Sequence, residues 1–115
     1  MKDDPREIAR AILGRDTQPG IALPDGSLAW SVDQCLEILS AMETTTIAVL
    51  GGEFYRDELI GLVPAYTGWS CEPAPGETAS DFALRSRELA RHRVREGSHE
   101  AQYVVLRMSY QQDAA

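Results

Sequence analysis

The stretch Ile47–Tyr55, IAVLGGEFY, sets the tightest limit on this chain. Four apolar residues stop at two adjacent glycines, and an acid and two aromatics follow. A phosphate cradle would need spaced glycines with a helix starting directly behind them. Here there is no GxGxxG and no Lys-Ser/Thr pair, and Glu53 would put a negative charge where the phosphate sits. Phe54 and Tyr55 favour continued strand. The remaining reading is a strand that bends, because glycines inside a strand mark a bulge or a close approach of backbone. A bulge re-aims the side chains after it, so Glu53 and Tyr55 are expected to point outward at the end of a sheet.

The rest of the chain supplies helices to cover that sheet. Asp4-Pro5 opens a short helical pattern with Ile8, Ala9, Ile12 and Leu13 on one face, so a helical segment is expected over 4–13. The run DTQPGIALPDGSLAW carries two prolines and two glycines and reads as loop with a short extended piece. Ser31 caps a second helix whose stripe is Val32, Cys35, Leu36, Leu39 and Met42. Thr44-Thr45-Thr46 breaks it, since β-branched side chains lose freedom in a helix. Extended pieces are expected at 47–50, 54–55, within 59–66 and at 69–72, followed by a linker, EPAPGETAS. Thr78 or Ser80 caps a third helix that runs to about Glu96 and ends at Gly97. Its buried side is Phe82, Ala83, Leu89, Ala90 and Val94. Residues 102–110 alternate as a half-buried strand with Val104, Leu106, Met108 and Tyr110 on one face. The tail 111–115 is expected to fray. The pattern predicts an α+β fold: a small antiparallel or mixed sheet with about three helices mainly on one face. One domain over 1–115 is expected, with its core at about 20–110.

The 115 residues can bury roughly 65% of their unfolded surface without a metal or disulfide staple. No apolar run approaches a membrane span, and MKDDPREIAR lacks a signal-peptide core, so a cytoplasmic protein is expected. Cys35 and Cys71 form neither a disulfide framework nor a zinc pattern and read as reduced thiols. Charge is uneven. Residues 16–81 hold eleven acids and one base, Arg56, a distribution that repels nucleic acid and attracts basic partners. It is equally the composition of an ordinary solubilising surface.

Chemistry is sparsely supported. His92 and His99 lack metal-ligand spacing. No Ser-His-Asp or Cys-His set is arguable, and Glu53, Glu58 and Glu72 carry no glycosidase motif. No catalytic, metal or cofactor residue is assigned, and no cofactor is expected. Arg87, Arg91 and Arg95 make a basic stripe that could track phosphates. In an acidic chain, with the cations toward a helix C-terminus, a solvated helix face is the expected reading; a match to the acidic middle of the chain stays open.

Several landmarks occur in order: the helix WSVDQCLEILSAM, the strand IAVLGGEFY, the segment YTGWSCE and the helix SDFALRSRELARHRV. This layout resembles the immunity protein 40 family of bacterial polymorphic toxin systems over about residues 20–97. In that family a helix precedes a pIlGGdvY-like strand, a Trp segment follows, and a late helix carries Ser-x-x-x-Ala. The matching positions are Leu50, Gly51, Gly52, Glu53 and Tyr55, then Trp69, then Ser86 and Ala90. Glu53 stands where the family tends to have Asp, and 57–67 does not align. The resemblance implies a protein that binds and neutralises a cognate toxin domain, without chemistry or cofactor. A basic toxin would suit the acidic segment. Glu53, Tyr55, Asp57, Glu58, Trp69 and Glu72 are the expected partner-binding residues, with no nucleic-acid or membrane partner. Trp69 could equally belong to the core. The alternative is a small enzyme or small-molecule-binding domain using Cys71, Glu53 and Trp69 around a pocket.

Overall fold

In a computed structural model, residues 20–45 and 47–109 are described. The expected helix at 4–13 and the tail 111–115 lie outside them. The described residues form two α-helices and a five-stranded, wholly antiparallel sheet. In chain order the elements are β1 (Ile21–Ala22), β2 (Leu28–Ser31), α1 (Val32–Ala41), β3 (Ala48–Glu58), β4 (Gly61–Ser70), α2 (Ala79–Gly97) and β5 (Tyr103–Ser109), with one 3-10 turn (Met42–Thr44) after α1. The strand order is β1-β2-β5-β3-β4, which puts β5 at the centre and β4 at an edge. The fold class is therefore α+β as expected, with two helices among the described residues where the sequence suggested three.

The glycine pair does not end its strand. β3 runs through it for 11 residues. Against β5 the register shifts between Val49 and Gly51, a bulge at the expected place, and Gly51 takes φ 156°. Each glycine also clears space on one face. A Cβ on Gly52 would strike the Trp69 indole, within 2.6 Å of Cζ3 and 3.0 Å of Cζ2. A Cβ on Gly51 would meet the Arg107 guanidinium and the Trp69 carbonyl. The pieces foreseen at 59–66 and 69–72 are one strand, β4, because it follows β3 through a tight hairpin.

Both helices cover the same face. Ser31 caps α1 in a capping box with Gln34, and Cys35, Ile38 and Leu39 are its buried residues. These pack with Trp30, Val49, Phe54, Trp69, Ala90, Val94, Val104 and Leu106 in one cluster. Burial pushes the Cys35 thiol up to about 12, so it behaves as an apolar side chain. Thr78 caps α2, whose Oγ1 accepts from Asp81 N at 3.1 Å. Gly97 is not a left-handed stop. The helix ends at it, as the sequence suggested, but in helical backbone, and its missing Cβ leaves room for the Phe54 ring, whose Cδ1 would otherwise lie 2.9 Å away.

The buried side of α2 differs from expectation at two positions. Leu89 is only half-buried, whereas Ser86 and Arg87 are fully buried. Arg87 thus leaves the solvated stripe to which the sequence assigned it. Its Nη1 donates to Thr45 O (3.0 Å) and Ile47 O (2.9 Å), and its Nη2 to Glu43 O (3.5 Å). Desolvation lowers its pKa. Arg91 pairs with Glu43 at 3.0 Å, a match to the acidic middle of the chain.

The linker before α2 is fixed by charge. Arg85 Nε and Nη2 each donate to Glu77 at 2.7 Å, and Nη2 also donates to Glu72 O at 2.8 Å. These bonds, with the Ala74 N–H, hold the Glu77 carboxyl down to about 2 and raise Arg85. A depressed carboxylate pKa contributes stability that is complete above its unfolded value near 4.5 and is lost as pH falls towards 2. Glu77→Gln should therefore flatten the loss of stability between about pH 4.5 and 2. An unchanged acid limb in denaturant melts across that range would show that the pair adds nothing.

Candidate functional site

The antiparallel register aligns rows of residues on the sheet face opposite the helices. One row is Ser70–Gly51–Arg107, the next Gly68–Glu53–Val105, the next Pro64–Tyr55–Tyr103. Gly51 and Gly68 leave the middle of these rows low. A depression of about 540 Å³ results, lined among others by Glu53, Tyr55, Pro64, Tyr66 and Arg107. Arg107 reaches across Gly51, and its Nη2 donates to Trp69 O at 3.3 Å.

Tyr66 forms one wall, and its placement is costly. Between Gly68 and Pro64 three β4 residues oppose a single β3 residue, a second bulge. Tyr66 sits in it at φ 57°, with its side chain 91% exposed. A left-handed backbone at a non-glycine residue costs about 1–2 kcal/mol, and such strain clusters at contact and functional sites. The sequence offered no signal for Tyr66, because a tyrosine in a strand is ordinary. Arg107 was legible only as a residue on the outer face of β5.

The depression holds one acid, Glu53, and one base, Arg107. Burial raises the Tyr55 phenol first, and the negative charges of Glu53 and Asp25 add to it. Asp25 itself is held as a carboxylate by the Ser27 hydroxyl and N–H, at 2.6 and 2.9 Å.

The six residues named from sequence separate into four places. Glu53 and Tyr55 share the depression. Asp57 and Glu58 are exposed farther along β3, next to the hairpin turn. Glu72 is exposed beyond the opposite end of β4, eleven residues past Gly61. Trp69 is 8% exposed, with its ring on the helix side, 5.7 Å from Phe54. The Cys71–Glu53–Trp69 pocket is not assembled: Cys71 packs with Ala48, Phe82 and Ala83 and does not line the depression.

The motif Ser-x-x-x-Ala is architectural. Ser86 Oγ accepts from Val49 N at 2.9 Å and donates to Ala83 O at 3.1 Å, tying α2 to β3 beside its bulge. Ala90 lets the helix approach the sheet, with no exposed surface. Among the described residues no group of three His, Cys, Asp or Glu could hold a metal ion, and no helix is long and apolar enough to cross a membrane.

The sheet thus has one helix-covered face and an opposite face that carries Glu53, Tyr55, Tyr66 and Arg107 around the depression. Residues 19–108 match the family Immunity protein 40, and the chain belongs to it. It is thus a member of an immunity family of toxin systems. No curated protein and no solved structure matches the chain.

Proposed function

We propose that this protein binds and neutralises a cognate toxin domain of a polymorphic toxin system, inside the bacterial cell, and does so without catalysis. The observation that carries this reading is the family match across 19–108, together with the position of the motif residues Glu53 and Tyr55 on the face away from the helices. Glu53, Tyr55, Asp57 and Glu58 form the contact surface with Tyr66, while Trp69 supports it from beneath. The tyrosines supply rigid contact area, and the acids steer a basic partner. Glu72 belongs to the outer rim of the same acidic field.

The test is co-expression with the C-terminal domain of the polypeptide encoded immediately upstream. The pair should co-purify, and cells should survive only with this chain present. Charge reversal then probes the surface. Asp57→Lys with Glu58→Lys should slow association about tenfold or more at low salt, and added salt should shrink the difference. Equal association rates at low salt would remove these acids from the steering surface.

A further inference from the structure

β3 and β4 run past the rest of the sheet. β5 pairs with β3 no farther than Tyr55↔Tyr103. Beyond it, Arg56↔Val63, Asp57↔Leu62 and Glu58↔Gly61 form a ribbon without a third strand. Gln102 braces its base: its N–H donates to Tyr55 O at 3.2 Å, and its Oε1 accepts from Asp57 N at 2.9 Å. At the rise of a strand the ribbon projects roughly 10–14 Å.

The ribbon ends in Leu59–Ile60, and those residues are unusual for a turn. Hairpin turns favour Gly, Asn, Asp and Ser, whose backbone freedom or short polar side chains close the bend. Here Gly61 supplies the positive φ, at 119°. Leu59 and Ile60 contribute only apolar surface, and they are 107% and 88% exposed, against 54% for Leu84, the next aliphatic side chain among the described residues. Two adjacent aliphatics held in water at a projecting tip give the fold no packing and reduce its solubility.

We propose that this tip is a plug. Leu59 and Ile60 enter an apolar pocket on the toxin domain, while Asp57 and Glu58 meet basic side chains at the pocket rim. The inference rests on the toxin-binding reading above. Charge selects the occupant. Across residues 56–61 two acids stand against one base, Arg56, which pairs with Glu58 at 3.6 Å, so the tip keeps a net charge of −1, carried by Asp57. Two copies meeting tip to tip would bring their acids together, and an anionic lipid surface would repel the same acids. A pocket with a basic rim satisfies both the aliphatic and the acidic residues.

The decisive variant is Leu59→Ser with Ile60→Ser, compared with Leu84→Ser on α2 and with the parent chain. The probe is the C-terminal domain of the polypeptide encoded immediately upstream, at about 0.15 M salt. The tip variant should melt with the parent. Its Kd should rise about 30-fold or more, mostly through faster dissociation, while Leu84→Ser stays within about twofold. If the parent binds and the tip variant binds within about threefold, the plug is overturned and toxin binding stands. If the parent does not bind, the toxin-binding reading falls and takes the plug with it. Sedimentation of the free chain and flotation with phosphatidylglycerol vesicles complete the test. A dimer or a vesicle complex that only the tip variant abolishes, with toxin binding unchanged, would assign the tip to a second copy or to a membrane.

Discussion

Trp69→Ala is expected to lower the unfolding free energy by about 3–5 kcal/mol, the range for truncating a buried aromatic. The residue is 8% exposed, packs at 45° against Phe54 and fills the space left by Gly52 directly across the strand pair. Truncation empties the centre of the main cluster, and Gly52 across the strand pair has no side chain with which to fill the gap. The reciprocal change is informative. Gly52→Val puts a branched side chain into the indole and should cost about 1–3 kcal/mol by overpacking. Urea melts of the free protein measure both. Near-normal melting of Trp69→Ala with lost partner binding would move this residue from the core to the interface.

Arg87→Met should cost about 2–3 kcal/mol, although a stripe of arginines suggests a change on the surface. The side chain is 4% exposed, and its guanidinium collects the carbonyls of Thr45, Ile47 and Glu43 where the chain leaves the 3-10 turn and enters β3. Methionine fills the stem and orphans those acceptors at about 1–3 kcal/mol each where water cannot reach them, and removal of the desolvated guanidinium charge offsets part of that loss. Arg91 provides the contrast. Its pair with Glu43 has a half-exposed carboxylate partner, and Arg91→Gln should stay within about 1 kcal/mol. Equal melting of Arg87→Met and the parent would show that the carbonyls are hydrated in its absence.

What could be read from the sequence was what depends on local periodicity. The capped helices, the alternation of Val104, Leu106 and Met108, and the bent strand at Gly51–Gly52 all follow from spacing and backbone freedom. Tertiary partners could not be read this way. Ser86 looks like an ordinary helix residue until the Val49 N–H arrives from 37 positions away. Arg87 looks solvated until the segment from the 3-10 turn to β3 folds over it. Trp69 suits a contact surface equally well until its register partner proves to be a glycine on the helix side. The acids were visible as a composition, but β4 separates Glu72 from Glu58 by its whole length. Tyr66 and the aliphatic tip emerge only from the hairpin geometry, a bulge in one case and a projecting turn in the other.

Direct titration of the toxin reaches the central claim. The purified chain is added to the C-terminal domain of the polypeptide encoded upstream, and complex formation is measured by calorimetry alongside the toxicity of that domain to sensitive cells. Formation of a stoichiometric complex that removes toxicity in step with its saturation is the predicted result. Full toxicity in the presence of excess chain, or protection without a complex, would contradict it.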